Sequence, residues 1–121
     1  MLIKIVDDDQ AFVKKIKDIV YDNFKDIFLD YSIECITSNF EAQYFEKGDI
    51  FFLDIDLKSE DGIALAKKLK IYNPQLIIIF ISQREDLVFQ TFSVQPFQFI
   101  RKKHYQEDLK EVFNQLNYSL Q

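Results

Sequence analysis

The chain contains 121 residues, of which 48% are hydrophobic and 29% are charged, and its formal net charge is -5. That length fits one domain that can bury a core without metals or disulfides, and two glycines and two prolines exclude a low-complexity chain. The acidic balance argues against nucleic-acid binding by this domain alone, because contacts with phosphate groups require a basic face.

Uncharged runs are far shorter than a membrane-spanning helix, and Met1 leads directly into a charged strand pattern rather than a secretory signal. We therefore expect a cytoplasmic protein with no membrane partner. We also expect residues 1–121 to form a single domain, with any output domain absent or removed.

Five hydrophobic runs have the length and the bounds of strands, and the fourth is typical of a strand that is covered on both faces. These runs are Leu2–Val6, Tyr31–Ile36, Ile50–Leu53, Leu76–Ile81 and Phe97–Arg101. Apolar residues recur at helical spacing between and after them. The predicted helices run from Ala11 to Ile27, through Phe40, Tyr44 and Phe45, from Ile63 to Ile71, from Glu85 to Phe92 and from Gln106 to Leu120. This alternation predicts an α/β fold with a five-stranded parallel sheet and helices on both faces.

Polar side chains follow four of the five predicted strands. The run Asp7 to Asp9 follows the first strand, Asp54 the third, Ser82 the fourth and Lys102 the fifth. The carboxyl ends of parallel strands share one edge of a sheet, where ligands of open α/β sheets bind. Carboxylates, a hydroxyl and an ammonium at one edge indicate a site for a divalent metal and a phosphoryl group.

This arrangement resembles the receiver domain of two-component response regulators, over essentially the whole chain. The matching features are Val6-Asp7-Asp8, Phe52-Leu53-Asp54 with Gly62 eight residues further on, Phe80-Ile81-Ser82 and Phe99-Ile100-Arg101-Lys102. The part from Asp54 to Lys102 is most similar to receivers of regulators that carry a LytTR-type DNA-binding domain. The resemblance implies a flavodoxin-like doubly wound fold with strand order 2-1-3-4-5.

The resemblance also implies the chemistry of the site. Asp54 would accept a phosphoryl group from a phosphohistidine on a sensor histidine kinase, once per molecule rather than as a multiple-turnover enzyme. Mg²⁺ would be the cofactor, held by Asp7 and Asp8, by Asp54 itself and by the backbone carbonyl of Asp56. Asp8 is the better candidate for direct ligation, and Asp7 would act largely through water.

Three further residues would respond to the modification. Lys102 would pair with one phosphoryl oxygen, and Ser82 would hydrogen-bond another and pull in the loop after strand four. Phe99 would then turn inward as an aromatic switch. The face made by helix four, strand five and helix five would change, and it could form a homodimer. DNA would be reached only through an output domain outside this chain, which would control transcription.

Other interpretations remain open at this level. Asp7 to Asp9 can simply cap the first helix, and Phe99 can be an ordinary core residue. Asp54 and Asp56 also resemble the acid pair of haloacid-dehalogenase-type phosphatases. A pseudo-receiver would use the same fold as a constitutive interaction module. Lys58, where many receivers carry proline, could reach the phosphoryl pocket and alter the lifetime of the modified state.

Overall fold

The computed structural model describes residues 1–26, 30–40, 47–57 and 61–119, and these ranges contain five strands and four α-helices. The strands are β1 (Leu2–Val6), β2 (Ser32–Ile36), β3 (Ile50–Asp54), β4 (Ile77–Ser82) and β5 (Gln98–Arg101). The α-helices in these ranges are α1 (Gln10–Phe24), α2 (Gly62–Tyr72), α3 (Val88–Thr91) and α4 (Tyr105–Ser119). All five predicted strands are confirmed, with ends that shift by one residue at most.

The sheet has the predicted topology. Its strands are all parallel and lie in the order β2-β1-β3-β4-β5. In the register of the ladder, Asp54 lies opposite Ile81 and Ser82 lies opposite Arg101. The carboxyl ends of neighbouring strands are therefore aligned along one edge, and the polar residues that follow them are close in space.

Helices cover both faces of the sheet, as predicted. On one face, α1 and α4 pack against alternate strand residues that include Ile5, Phe52 and Ile81. On the other face, α2 packs against the residues that point the opposite way, such as Leu53 and Phe80. Because β3 and β4 are covered on both sides, their sequences are apolar almost throughout rather than alternating.

The start of α2 lies against the end of β3. Asp61 caps this helix, because its side chain accepts a hydrogen bond from the backbone N–H of Ile63 at 2.9 Å. A Cβ atom at Gly62 would overlap the carbonyl oxygen of Asp54 and lie 2.6 Å from Cα of Ile55. Glycine therefore allows the close approach of α2 to the strand end that carries Asp54.

The predicted helix from Glu85 to Phe92 is only partly confirmed. A 3₁₀ turn at Glu85–Leu87, the short helix α3 and a second 3₁₀ turn at Phe92–Val94 replace one continuous helix. Gln95 has left-handed backbone angles (φ 55°) and is followed by Pro96, so the segment cannot continue as a helix. The predicted helix through Tyr44 and Phe45, and the hypothesis about Lys58, lie outside the described residues.

Candidate functional site

Three carboxylates meet at the carboxyl edge of the sheet. Asp7 directly follows β1, Asp8 comes next, and Asp54 is the last residue of the adjacent strand β3. Ligand oxygens of the three side chains lie within 4.8 Å of one another. Asp7 and Asp54 are buried, and Asp8 is half-buried. The sequence-based expectation that these acids gather at one edge therefore agrees with the structure.

The run of three aspartates divides into a helix cap and pocket residues. Asp9 caps α1, because its Oδ1 accepts a hydrogen bond from the backbone N–H of Phe12 at 3.1 Å. Asp7 turns inward, and its Oδ1 accepts a hydrogen bond from the backbone N–H of Asp9 at 2.9 Å. Capping thus accounts for Asp9 alone and does not explain the positions of Asp7 and Asp8.

Lys102 brings a positive charge to the acids. It lies in a 3₁₀ turn that directly follows β5, and its side chain is only 11% exposed. Its Nζ is 2.8 Å from Oδ2 of Asp7 and 3.4 Å from Oδ2 of Asp54. Within the described ranges that buried Asp7 oxygen makes no hydrogen bond of good geometry, and the Lys102 ammonium is its close charged partner. Oδ2 of Asp7 can therefore still accept a hydrogen bond or coordinate a cation.

The pocket holds more negative than positive charge. Burial, and then repulsion from Asp7, raise the pKa of Asp54 to about 7, although Lys102 and the backbone N–H of Asp56 act in the opposite direction. Burial alone would lower the pKa of Lys102, but its contacts with Asp7 and Asp54 outweigh burial and raise it. Close carboxylates with too little compensating charge are the kind of donor set that a divalent cation stabilises.

Ser82 and Asp56 lie at the same edge. Ser82 ends β4 and is completely buried, and its hydroxyl donates a long hydrogen bond of 3.5 Å to Oδ2 of Asp56. The Ser82 oxygen accepts a shorter bond of 2.9 Å from the backbone N–H of Arg84. The backbone N–H of Asp56 donates to Oδ1 of Asp54 at 3.1 Å. Ser82 is therefore linked to Asp54 through one intervening residue.

Phe99 is placed differently from the other predicted site residues. It lies within β5 opposite Phe80, is half-buried, and packs against the apolar cluster on the α2 face. This position satisfies the core interpretation, and the switch interpretation remains a prediction.

Sequence reasoning did not identify two neighbours of the site. The ring of Phe12 lies under the Lys102 ammonium, with its centroid 4.8 Å from Nζ. The Arg84 guanidinium lies 3.9 Å from the Asp56 carboxylate. Neither carries a signal in the sequence, because Phe12 occupies an ordinary apolar position of a helix and Arg84 an ordinary loop position.

The fold agrees with comparisons against known families. The family model described as "Response regulator receiver domain" matches residues 3–114. The chain therefore belongs to the receiver domains of two-component response regulators.

Its relatives include LytT and LytR proteins. The sensory transduction protein LytT of Bacillus subtilis (strain 168) is 29% identical over 79 residues, which are 65% of this chain and 33% of that protein. LytT of Bacillus anthracis is 25% identical over 112 residues, 93% of this chain and 46% of that protein. The chain thus spans between a third and a half of the length of these relatives.

Solved structures support the fold. The response regulator TrrA of Thermotoga maritima, in complex with Mg²⁺-BeF, aligns with a TM-score of 0.76 and 20% identity, over 95% of this chain and 97% of that one.

No helix in the described part of the chain is long and apolar enough to cross a membrane.

Proposed function

We propose that this receiver domain accepts a phosphoryl group on Asp54 from a phosphohistidine of a sensor histidine kinase, with Mg²⁺ as cofactor. The observation that carries the proposal is the Lys102 ammonium, 2.8 Å from Asp7 and 3.4 Å from Asp54 in a buried setting. A fixed positive charge beside the acceptor stabilises the negative charge that a phosphoryl group adds there.

The transfer uses Asp54 as the nucleophile. One of its carboxylate oxygens forms a bond to phosphorus while the bond from phosphorus to the donor breaks, and the donor atom keeps that electron pair. Asp54 must be ionised to attack, and both Lys102 and the backbone N–H of Asp56 favour the ionised form. The resulting acyl phosphate is labile, so the signal can be erased. The domain is modified once per cycle and is not a multiple-turnover enzyme.

Mg²⁺ suits the oxygen donors at this edge. Asp7, Asp8 and Asp54 would hold the ion together with the backbone carbonyl of Asp56. The buried, non-hydrogen-bonded oxygen of Asp7 and the 4.8 Å grouping of the three carboxylates support this assignment. The ion would supply positive charge against which an anionic donor can approach. The Mg²⁺-BeF complex of TrrA is consistent with this proposal.

Ser82 and Phe99 would convert modification into a conformational change. The 3.5 Å hydrogen bond from Ser82 to Asp56 is long and therefore weak, so a phosphoryl oxygen on Asp54 can compete for the hydroxyl. Movement of the loop after β4 would follow, and Phe99 would turn inward behind it. The two states are in equilibrium, and phosphorylation shifts the balance between them.

The surface that changes would be the face formed by α3, β5 and α4, which correspond to helix four, strand five and helix five of the family. Phe92, 58% exposed, lines the same pocket as Phe97 and Phe99, and its ring packs edge-on at 5.6 Å against that of Phe89 in α3, which is 79% exposed. Exposed aromatic pairs are typical of interaction surfaces, and we propose that this face forms a homodimer. Sedimentation velocity with and without beryllofluoride tests it, and an unchanged profile would count against dimerisation.

The proposed role in the cell is the control of transcription. Residues 1–121 would form one receiver domain in the cytoplasm, and DNA would be bound by a LytTR-type domain outside this chain. The greater length of the LytT relatives supports such an arrangement. Specific DNA binding by the 121-residue chain itself, in a gel-shift assay, would contradict it.

The central experiment is phosphorylation with acetyl phosphate. The wild-type chain and the Asp54→Asn variant are incubated with acetyl phosphate and Mg²⁺, and intact mass is followed over time. The wild type should gain one phosphoryl group, and either chelation of Mg²⁺ or the substitution should abolish the gain. Asp18→Asn, an exposed carboxylate on α1, is the matched control and should be phosphorylated like the wild type.

Other results would favour the alternative functions. No gain of mass in either protein would indicate a constitutive pseudo-receiver. Rapid consumption of acetyl phosphate without a modified species would indicate a phosphatase that uses Asp54 and Asp56.

A further inference from the structure

We propose that Phe12 is a positioning residue for phosphoryl transfer, because its ring holds the Lys102 ammonium at the acceptor site. This inference rests on the proposed function of Asp54 and Lys102 and adds a residue to it. Phe12 belongs to α1 and would otherwise be counted only as part of the hydrophobic core.

The geometry is that of a cation–π contact. Nζ of Lys102 lies 4.8 Å from the centroid of the Phe12 ring, well inside the distance of about 6 Å at which such contacts are attractive. Both partners are shielded from water, since Phe12 is 8% exposed and the Lys102 side chain 11%. Desolvated cation–π contacts are stronger than those at a surface. The Phe12 ring is itself fixed by Tyr105, which packs edge-on at 5.3 Å.

A chain of contacts through Asp7 and Asp9 connects Lys102 back to Phe12. Lys102 pairs with Oδ2 of Asp7 at 2.8 Å, and Oδ1 of Asp7 accepts a hydrogen bond from the backbone N–H of Asp9 at 2.9 Å. Asp9 accepts a hydrogen bond from the backbone N–H of Phe12 at 3.1 Å, and the Phe12 ring meets Lys102 again. Displacing Phe12 would therefore alter the start of α1 and the position of Lys102 together.

An aromatic ring is suited to this position for an electrostatic reason. Another carboxylate would hold Lys102 more strongly, but it would add negative charge where an anionic phosphoryl donor must approach. An aliphatic side chain would attract the buried ammonium less, so that less of the cost of burying its charge would be offset. A ring face attracts a cation without a net charge and without a strict direction. Lys102 can therefore stay charged and shift from Asp7 toward a phosphoryl oxygen.

Phe24 provides a matched control on the same helix. It is fully buried in the same apolar cluster and packs edge-on against Phe113 at 5.2 Å. Replacing Phe24 with leucine removes an aromatic ring and a similar core contact, while the Lys102 contact stays intact. A purely structural role for Phe12 predicts that Phe12→Leu and Phe24→Leu behave alike.

The test compares Phe12→Leu, Phe12→Tyr and Phe24→Leu, each in the wild-type background and with Lys102→Met. The initial rate of phosphorylation by acetyl phosphate is measured by intact mass at saturating Mg²⁺, and urea unfolding reports stability. We expect Phe12→Leu to slow transfer roughly 5-fold or more. Phe12→Tyr should retain the rate, and Phe24→Leu should lower stability but change the rate less than about 2-fold. With Lys102→Met, Phe12→Leu should have no further effect on the rate.

The outcomes separate this inference from the function on which it rests. If phosphoryl transfer with Lys102→Met is too slow to time, the same variants are compared by their affinity for beryllofluoride in the presence of Mg²⁺. Calorimetry measures that affinity. If the wild type is phosphorylated and Phe12→Leu matches Phe24→Leu, the positioning role is wrong and the proposed function stands. A slowing by Phe12→Leu that persists with Lys102→Met also overturns it. A wild type that neither gains mass nor binds beryllofluoride overturns both.

Discussion

Replacing Asp54 with asparagine is expected to stabilise the metal-free protein while abolishing phosphorylation. Burial and the neighbouring Asp7 raise the pKa of Asp54 from its ordinary value near 3.8 to about 7. Lys102 keeps its shorter contact, the 2.8 Å ion pair with Asp7, when Asp54 is replaced. Asparagine has nearly the same shape and no charge, so the substitution removes the repulsion and the cost of burying an ionised group.

The magnitude follows from the pKa difference between the folded and unfolded states. Below pH 3.8 Asp54 is protonated in both states and the difference has no effect on stability. Between that pH and about 7 the unfolded chain ionises while the folded one keeps its proton, so rising pH destabilises the wild type. Over the two units from pH 5 to pH 7 the loss is about 2 kcal/mol, which is on the order of 10 °C in Tm for a domain of this size. Above the pKa of the folded state Asp54 is ionised in both states, so the stability difference between the wild type and the variant no longer changes with pH.

The assay is urea unfolding of the wild type and Asp54→Asn in EDTA at pH 5, 6, 7 and 8. The advantage of the variant should widen between pH 5 and pH 7 and then level off, because the titration of all other groups largely cancels in the difference. Asp18→Asn, on the exposed surface of α1, should show no such widening. A constant advantage from pH 5 to pH 8 would refute the reasoning, because it would mean that Asp54 does not change its ionisation in this range.

Three further predictions concern the same edge of the sheet. Mg²⁺ should raise the Tm of the wild type in differential scanning fluorimetry, and Asp8→Asn should lose most of that shift; equal shifts would exclude Asp8 as a ligand. Gly62→Ala should destabilise the domain by about 1–3 kcal/mol in urea unfolding and slow phosphorylation, because its Cβ would overlap the carbonyl oxygen of Asp54. Asp108→Ala should lower the unfolding free energy by about 1–3 kcal/mol. The reason is that Asp108 accepts hydrogen bonds from the guanidinium of Arg101 at 2.8 and 2.9 Å and from the backbone N–H of Arg101 at 2.9 Å. An unchanged urea midpoint would contradict this prediction.

The strands and the location of the site could be predicted because both follow from strong local constraints. A strand covered on both faces must be apolar throughout, and β4 satisfies that requirement with an unbroken hydrophobic run. Once the strands are parallel, their carboxyl ends share an edge, so the side chains at or directly after the ends of β1, β3, β4 and β5 must lie along that edge. Which of Asp7, Asp54, Ser82 and Lys102 lie beside one another depends on the strand order, and that order was predicted from the resemblance to receiver domains.

Contacts that depend on how the elements pack could not be predicted in the same way. Phe12 and Phe24 both occupy apolar positions of α1, yet one ring faces Lys102 and the other faces Phe113. That difference is set by where β5 ends relative to the first turn of α1, which no local pattern encodes. The helix predicted from Glu85 to Phe92 is only partly confirmed for a related reason, since the end of this segment depends on the left-handed backbone at Gln95.

The charge imbalance of the pocket connects the fold to its proposed function. Asp7, Asp8 and Asp54 face the single ammonium of Lys102 among the described residues that line this edge, and the apolar core must stabilise the fold against their repulsion. A sequence selected for stability alone would neutralise one of these acids, as Asp54→Asn does. Retaining all three lowers the stability of the metal-free state and increases the gain in free energy when a cation binds. Under the proposed function, the residues that destabilise the metal-free pocket are therefore the ones through which metal binding and phosphorylation would shift its conformation.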